Sequence, residues 1–222
     1  QAIEDQATSS EPLTQDWIDD YAVSYLTARK PAFDGSSTNA DSQALQAIQA
    51  NAMQREALIA LSMTRSEGAE RAIIVSATGT GKTMLSAFDV KAFNPERLLF
   101  IVHREQILDR TIKEYQRVLG ASSRDYGKLT GQFKEHNRRY VFATIQTLSQ
   151  DSNLAELSPG AFDYIIVDEA HRAAAETYQR VLGHFRPKFL LGMTATPDRT
   201  DGFNVYGLFG HNVPYEIRLN DA

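Results

Sequence analysis

The chain has 222 residues, of which 42% are hydrophobic and 23% charged, with no cysteine and a formal net charge of −5. This length suffices for one domain with a full core plus an appendage, and the composition is that of a soluble globular protein. The sequence has no apolar run of the roughly 18 residues that a membrane-spanning helix needs, and no apolar N-terminal segment of the kind that a signal peptide needs. Without cysteine it can form neither a disulfide nor a thiolate zinc site. We therefore expect a cytoplasmic protein outside the membrane. Its acidic balance predicts that any nucleic-acid partner is held locally, by a few donors on one face.

Residues 1–41 differ in pattern from the rest of the chain. Apolar residues recur at helical spacing over residues 17–26, and Thr14 can cap the start of that helix. Residues 34–39 have the composition of a turn or linker. The pattern predicts a short helical extension, followed by one main domain over residues 42–222.

Beyond residue 42, predicted helices and strands alternate. Short apolar runs bounded by turn residues predict buried strands, and longer runs with helical spacing predict helices. The predicted strands are 71–76, 97–102, 140–143, 163–167, 188–192 and 215–219, and the predicted helices include 81–92, 105–119 and 173–185. Such alternation indicates an α/β fold with a mostly parallel central sheet and helices on both faces.

A glycine-rich segment at residues 76–83, Ser-Ala-Thr-Gly-Thr-Gly-Lys-Thr, follows the first predicted strand and opens a helix. This context is typical of a phosphate-binding P-loop, in which backbone N–H groups and the helix N-terminus hold phosphates. The alternative, an ordinary glycine-rich turn, does not require this order of strand, loop and helix. The pattern predicts that ATP is bound by Thr78, Gly79, Thr80, Gly81, Lys82 and Thr83, with Mg²⁺ at the Thr83 hydroxyl.

Two carboxylates, Asp168 and Glu169, follow the apolar run at residues 164–167. Parallel strands deliver such residues to the edge of the sheet where ligands bind. We expect Asp168 to hold Mg²⁺ through water and Glu169 to orient and deprotonate the attacking water, with Lys82 as the third catalytic residue. Taken alone, the pair could instead be a solvated turn.

The sequence Asp168-Glu169-Ala170-His171 resembles motif II of the superfamily 2 DEAD/DEAH-box helicases. Four further segments resemble that family's Q-motif, motif Ia, motif Ib and motif III, in the family's order: residues 53–57, 102–104, 143–148 and 192–197. The segments at 196–209 and 215–219 are similar to the motor part of bacterial restriction-type helicases, akin to Type III restriction subunits. The resemblance covers residue 48 to the C-terminus. It implies a three-layer RecA-like P-loop domain, the first of two in such motors.

The resemblance assigns roles to residues outside the P-loop. Gln54 would read the adenine edge, and Met53 stands where the family usually has an aromatic residue that stacks on the base. An exposed helix residue is the alternative for Gln54. His171 would couple the ATP site to Thr194 and Thr196, since a histidine can exchange hydrogen bonds with threonine hydroxyls. A helix cap is the alternative for His171.

A nucleic-acid track is implied by polar residues that follow two predicted strands: His103, Arg104, Thr144, Gln146 and Thr147. Such donors can hold successive phosphates without reading bases. Arg104 could also be an ordinary residue at the start of a helix. The basic segment 134–139 is interpreted as solvated surface. The match at the C-terminal end favours DNA over RNA as the partner.

The arginines that complete phosphoryl transfer in these motors come from a second RecA-like domain, and the chain contains no such motif. We therefore expect this piece to bind ATP and Mg²⁺ but to hydrolyse ATP poorly, because an arginine finger contributes ~10³–10⁵-fold in rate. The second domain of the same polypeptide is the expected partner, and the restriction-type subgroup often adds a nuclease domain. The leading hypothesis is a motor domain of a DNA helicase or translocase in restriction or repair. An RNA helicase of the DEAD/DEAH type and a non-motor nucleotide switch are the alternatives.

Overall fold

The computed structural model of the protein describes residues 48–77, 79–196 and 204–217. All of them belong to one structural unit, residues 46–222. The helix predicted within residues 1–41 lies outside the described residues, as do Thr78 and the segment 197–203.

A seven-stranded sheet forms the centre of the described unit. Its strands are β1 (Arg71–Ser76), β2 (Leu98–Val102), β3 (Tyr126–Leu129), β4 (Tyr140–Thr144), β5 (Tyr164–Asp168), β6 (Phe189–Thr194) and β7 (Tyr215–Ile217). The order across the sheet is β3-β4-β2-β5-β6-β1-β7, and each of these neighbouring pairs is parallel. The predicted α/β class with a parallel sheet is confirmed.

Helices connect the strands, as parallel pairing requires. They are α1 (Ala52–Ser66), α2 (Lys82–Phe93), α3 (Leu108–Leu119), α4 (Ile145–Leu148), α5 (Asp151–Ala155), α6 (Glu176–His184) and α7 (Val205–Leu208). Short 3₁₀ segments cover Glu105–Ile107, Ser123–Asp125 and Ala170–Ala174. Within the described ranges, no helix combines the length and apolar character needed to cross a membrane.

Two hydrophobic cores lie on the two faces of the sheet. Alternate residues of one strand point to opposite faces, so Ile74 joins the core beneath α1, α2 and α3, whereas Ile73 joins the core beneath α4 to α7. Leu98 and Leu99 divide in the same way. Because both faces are covered, the strands are apolar along nearly their whole length, which explains why they were recognisable in the sequence.

A buried ionic cluster joins the ends of three elements on the first face. Asp89 of α2 has no exposed surface and accepts two hydrogen bonds from Arg65 of α1, at 2.7 and 3.0 Å. The hydroxyl of Tyr164, the first residue of β5, donates to the same carboxylate. The cluster thus links the elements that carry Gln54, the P-loop lysine and the Asp-Glu pair at their other ends.

Several boundaries differ from the predicted ones. The helix predicted over 105–119 begins with a 3₁₀ turn and becomes α-helical only at Leu108. The helix predicted over 173–185 is interrupted at Ala175, whose ψ of 142° is extended and separates a 3₁₀ segment from α6. Strand β3 was not predicted, because its four residues Tyr-Gly-Lys-Leu carry too little apolar periodicity.

Candidate functional site

The carboxyl ends of β1, β6 and β5 lie side by side and carry the P-loop, the Thr194 segment and the Asp-Glu pair. Val75 pairs with Thr194, and Asp168 pairs with Met193. Only β6 separates the strand before the P-loop from the strand that ends in Asp168. Neighbouring strands are about 4.8 Å apart, so the two motifs face each other across roughly 10 Å.

The P-loop is shaped by glycine and braced by hydroxyl groups. Gly79 and Gly81 have φ angles of 87° and 82°, a left-handed region that glycine enters without strain, and Gly81 is the N-cap of α2. The Ser76 hydroxyl lies 2.5 Å from that of Thr80, which also donates to the Ala77 carbonyl at 2.8 Å. Ser76 stands where the strict motif has glycine, and its buried hydroxyl braces the loop.

The ammonium group of Lys82 lies within the P-loop. Its Nζ donates to the carbonyl oxygens of Ser76 at 2.8 Å and Ala77 at 3.2 Å. Burial lowers the pKa of Lys82, and the negative charges of Glu169 and Asp168 oppose that shift. The positive charge therefore sits close to the Asp-Glu pair, as the two motifs require.

Asp168 and Glu169 place two carboxyl groups at the end of β5, where the backbone of Glu169 is strained. Burial raises the pKa of Asp168 to about 6, the Glu169 charge adds to the rise, and the Glu169 N–H (3.0 Å) and Lys82 oppose it. Glu169 has a φ of 53°, a left-handed conformation that costs a non-glycine residue about 1–3 kcal/mol. Two nearby carboxylates of this kind are suited to a cation.

The donor set fits Mg²⁺ held jointly with phosphates. In the described ranges, no group of three or more His, Cys, Asp or Glu side chains could hold a metal by itself. Mg²⁺ usually takes one or two protein oxygen ligands and completes its shell with water and phosphate oxygens. Thr83, in the first turn of α2, and Asp168 are the residues that would hold it.

His171, Thr194 and Thr196 are brought together with Glu169. His171 Nδ1 lies 3.1 Å from Thr194 Oγ1 and 3.2 Å from a carboxylate oxygen of Glu169. The buried Thr194 hydroxyl donates to the Thr196 carbonyl at 3.1 Å and accepts from the Thr196 N–H at 3.3 Å. His171 Nδ1 thus lies between the Glu169 carboxylate and the Thr194 hydroxyl, and the hydrogen bonds of Thr194 continue to the end of β6.

Gln54 is a buried residue that contacts the P-loop. Its side chain accepts a hydrogen bond from the Asn51 N–H at 3.0 Å and donates to the Gly81 carbonyl at 3.3 Å. Asn51 completes a capping box by accepting from the Gln54 N–H at 2.8 Å. The alternative of an exposed helix residue is wrong, since only 8% of Gln54 is exposed.

The proposed nucleic-acid residues divide into surface and interior positions. His103 and Gln146 extend from the ends of the neighbouring strands β2 and β4, with 3.3 Å between His103 Nδ1 and Gln146 Nε2, and Arg104 is exposed. Thr144 and Thr147 are buried, and the Thr144 hydroxyl donates to that of Thr147 at 3.0 Å. Their expected side-chain contact with phosphates is therefore corrected: these hydroxyls brace the turn that presents Gln146.

Arg172 is a residue near this surface that sequence reasoning missed. Burial lowers the pKa of His103, and the positive charges of Arg172 and Arg104 lower it further. Arg172 directly follows the Asp-Glu-Ala-His sequence, so its proximity to His103 could be found only from the pairing of β5 with β2. Arg172, His103 and Arg104 thus lie close together, after the ends of the paired strands β5 and β2.

Comparison with known proteins agrees with this arrangement. The family described as "Type III restriction enzyme, res subunit" matches residues 47–199, more than half of the chain. The chain belongs to this family. An endonuclease subunit of the Type I restriction enzyme EcoAI from Escherichia coli is 29% identical over 157 residues, which are 67% of this chain and 19% of the relative.

Solved structures show the same fold. The UvsW helicase of bacteriophage T4 matches with a TM-score of 0.62 at 16% identity, over 94% of this chain and 68% of that one. The Type ISP restriction-modification enzyme LlaGI, solved with a DNA substrate mimic, matches with a TM-score of 0.60 at 20% identity, over 79% of this chain and 20% of that one. The predicted RecA-like helicase fold and the resemblance to restriction-type motors are confirmed. The chain spans about a fifth of the length of the E. coli relative.

Proposed function

We propose that this chain is the ATP-binding motor domain of a restriction-type DNA helicase or translocase. One observation carries the proposal: the P-loop, the Asp-Glu pair and the His171–Thr194 contact meet at one edge of the sheet, beside the surface formed by His103 and Gln146. A nucleotide switch needs the first two features. It does not need a second polar surface beside the nucleotide site, which here follows from the pairing of β5 with β2.

Each part of the P-loop has a distinct task in this proposal. The N–H groups at Gly79, Thr80 and Gly81, with Thr78, surround the phosphates, and Lys82 exchanges its carbonyl partners for phosphate oxygens. Thr83 and Asp168 would hold Mg²⁺, which supplies charge neutralisation of the phosphates when bound. Gln54 lies against Gly81, close enough to the loop to contact the base of the same nucleotide.

Glu169 is the proposed general base for the attacking water. Its carboxylate is 40% exposed, unlike the buried strand before it, and its left-handed backbone turns it away from the line of β5. His171 then connects this carboxylate to Thr194. A change at the phosphate site can therefore alter the end of β6 through one ion pair and one hydrogen bond, both made by His171.

The nucleic-acid partner is proposed to be DNA, held chiefly through its phosphates. His103, Arg104 and Gln146 supply donors on one face, which is compatible with an acidic chain. The restriction-type relatives, including LlaGI with its DNA mimic, support DNA over RNA. A second RecA-like domain and an attached nuclease remain proposed partners within a longer polypeptide, and the absence of cysteine supports a reducing compartment such as the cytoplasm.

The test is the ATPase rate of the longer polypeptide with DNA, with RNA and with neither. We expect DNA to stimulate hydrolysis more than RNA does, because the motor is coupled to its track. Glu169→Gln should abolish hydrolysis while nucleotide binding persists, since the amide cannot accept the proton from water. The exposed Glu176→Gln on α6 is the matched control and should leave the rate unchanged. Hydrolysis indifferent to both nucleic acids would instead support a nucleotide switch.

A further inference from the structure

An exposed aromatic ring lies just beyond the end of β3. Among the described residues, the large hydrophobic side chains with substantial exposure are Met63 (44%), Phe133 (42%) and Ile107 (37%). Phe133 belongs to neither hydrophobic core, so burial within the described fold does not account for it. It directly precedes the basic segment 134–139, which the sequence analysis interpreted as solvated surface.

The turn that carries Phe133 is held in place by hydrogen bonds. The Thr130 N–H donates to the Phe133 carbonyl at 2.9 Å, and the Gln132 N–H donates to the Thr130 hydroxyl at 3.3 Å. Leu129 and Lys134 form an antiparallel bridge that closes the turn. A ring on such a turn loses little conformational entropy when a ligand orders it.

The sheet places this turn beside the proposed nucleic-acid surface. Leu129 pairs with Ala143, one residue before the end of β4, and Thr144 pairs with Val102 at the end of β2. The ends of β3, β4 and β2 therefore form consecutive steps along one edge of the sheet. Phe133 extends the row in which Gln146 and His103 already lie.

Two lysines lie close to the ring. Lys128 Nζ lies 5.0 Å from the centre of the Phe133 ring and also pairs with Asp109 in the first turn of α3. Lys134 is exposed next to Phe133 in sequence. An exposed aromatic ring beside an exposed lysine is a combination that single-stranded nucleic acids bind, since every base has a face to stack and every nucleotide has a phosphate.

We infer that Phe133 is a stacking platform for one base of a single-stranded segment, at the end of the phosphate track formed by His103, Arg104 and Gln146. The inference rests on the proposed function, because it takes the same nucleic acid as the track. It adds a contact with a base to a surface that otherwise contacts only the backbone. Such a contact is tolerant of sequence, because no hydrogen bond reads the base edge.

The experiment measures binding of a labelled single strand of about 20 nucleotides by fluorescence anisotropy at low salt, beside an abasic strand of equal length. Phe133→Ala should weaken binding of the normal strand by about fivefold to 140-fold, the range that corresponds to one stacked base, and leave the abasic strand within about twofold. Phe133→Trp should restore binding of the normal strand. Met63→Ala, an equally exposed hydrophobic residue in the last turn of α1, is the control and should bind both strands like the wild type.

The outcomes separate this inference from the function on which it rests. Equal losses on both strands, or no loss on either, would overturn stacking at Phe133 while leaving the phosphate track in place. Failure of the wild type to bind any strand would overturn the track and the stacking contact together. Thermal melting of each variant shows whether it is folded, which an exposed position should allow.

Discussion

The ammonium group of Lys82 has hydrogen-bond partners within the fold and can still bind a ligand. Its ammonium group is half-buried, which lowers its pKa, yet two backbone carbonyls and two nearby carboxylates keep the charge favourable. Neutral carbonyls are weaker partners for an ammonium than phosphate oxygens are, because a phosphate carries full negative charge and a carbonyl only a dipole. The residue is therefore held near the position where phosphates would bind.

Lys82→Ala should weaken ATP binding at least about tenfold, because a charged partner of the phosphates is lost. The measurement is titration with a fluorescent ATP analogue in Mg²⁺. Lys91→Ala is the matched control, since Lys91 is an exposed lysine in the last turn of the same helix and should leave affinity unchanged. Wild-type affinity in the Lys82 variant would refute the P-loop assignment.

At the scale of elements, β6 packs closely against the residue that follows α7. The ring of Phe209, just after α7, lies over Gly192 of β6, and a Cβ at this glycine would come within 2.6 Å of ring atoms. Phe209 has no exposed surface, so the ring cannot move aside easily. A side chain at position 192 would therefore press on the strand that carries Thr194.

Gly192→Ala should lower the free energy of unfolding by about 1–3 kcal/mol, as overpacking in a core usually does. Gly183→Ala in α6 is the matched control, because a Cβ there meets no described atom within 4 Å. It should raise stability by about 0.5–1 kcal/mol, since alanine favours a helix over glycine. Urea denaturation measures both, and equal effects of the two substitutions would contradict the packing argument.

At the scale of the whole molecule, the described domain carries one side of the proposed nucleotide site, at the edge of its sheet. In the proposed function, the P-loop, Asp168 and Glu169 would contact the phosphates from this edge. Arginines that stabilise the transition state would come from a second domain, and none of the contacts described at this edge brings an arginine to Lys82 or Glu169. This domain should therefore bind ATP but hydrolyse it slowly.

The 222-residue chain alone should bind ATP with Mg²⁺ but hydrolyse it at least about 10³-fold more slowly than the longer polypeptide, because an arginine finger contributes ~10³–10⁵ in rate. Phosphate release by the two proteins at saturating ATP measures the ratio. Rates of similar size, with stimulation by DNA in the shorter chain, would show that one domain suffices.

Much of the fold could be predicted because both faces of the sheet are covered. Strands such as β2 and β5 are apolar at nearly every position and stand out in the sequence, whereas β3 is short and polar and becomes a strand only through its pairing with β4. The P-loop and the Asp-Glu pair were predicted because their chemistry depends on local order along the chain. The burial of Thr144 and Thr147 could not be predicted, because a threonine looks the same in the sequence whether its hydroxyl faces solvent or a neighbouring side chain.

The sequence by itself determined the α/β class, the P-loop and the acidic pair, because these depend on residues that are adjacent in the chain. Tertiary structure alone decided that Gln54 contacts Gly81, that His171 meets Thr194, and that Phe133 lies at the end of the His103 and Gln146 surface. Those contacts join elements that are far apart in sequence, and the order of strands across a sheet sets their distances. The physical reason is parallel pairing, which gathers the carboxyl ends of successive strands at one edge whatever the length of chain between them.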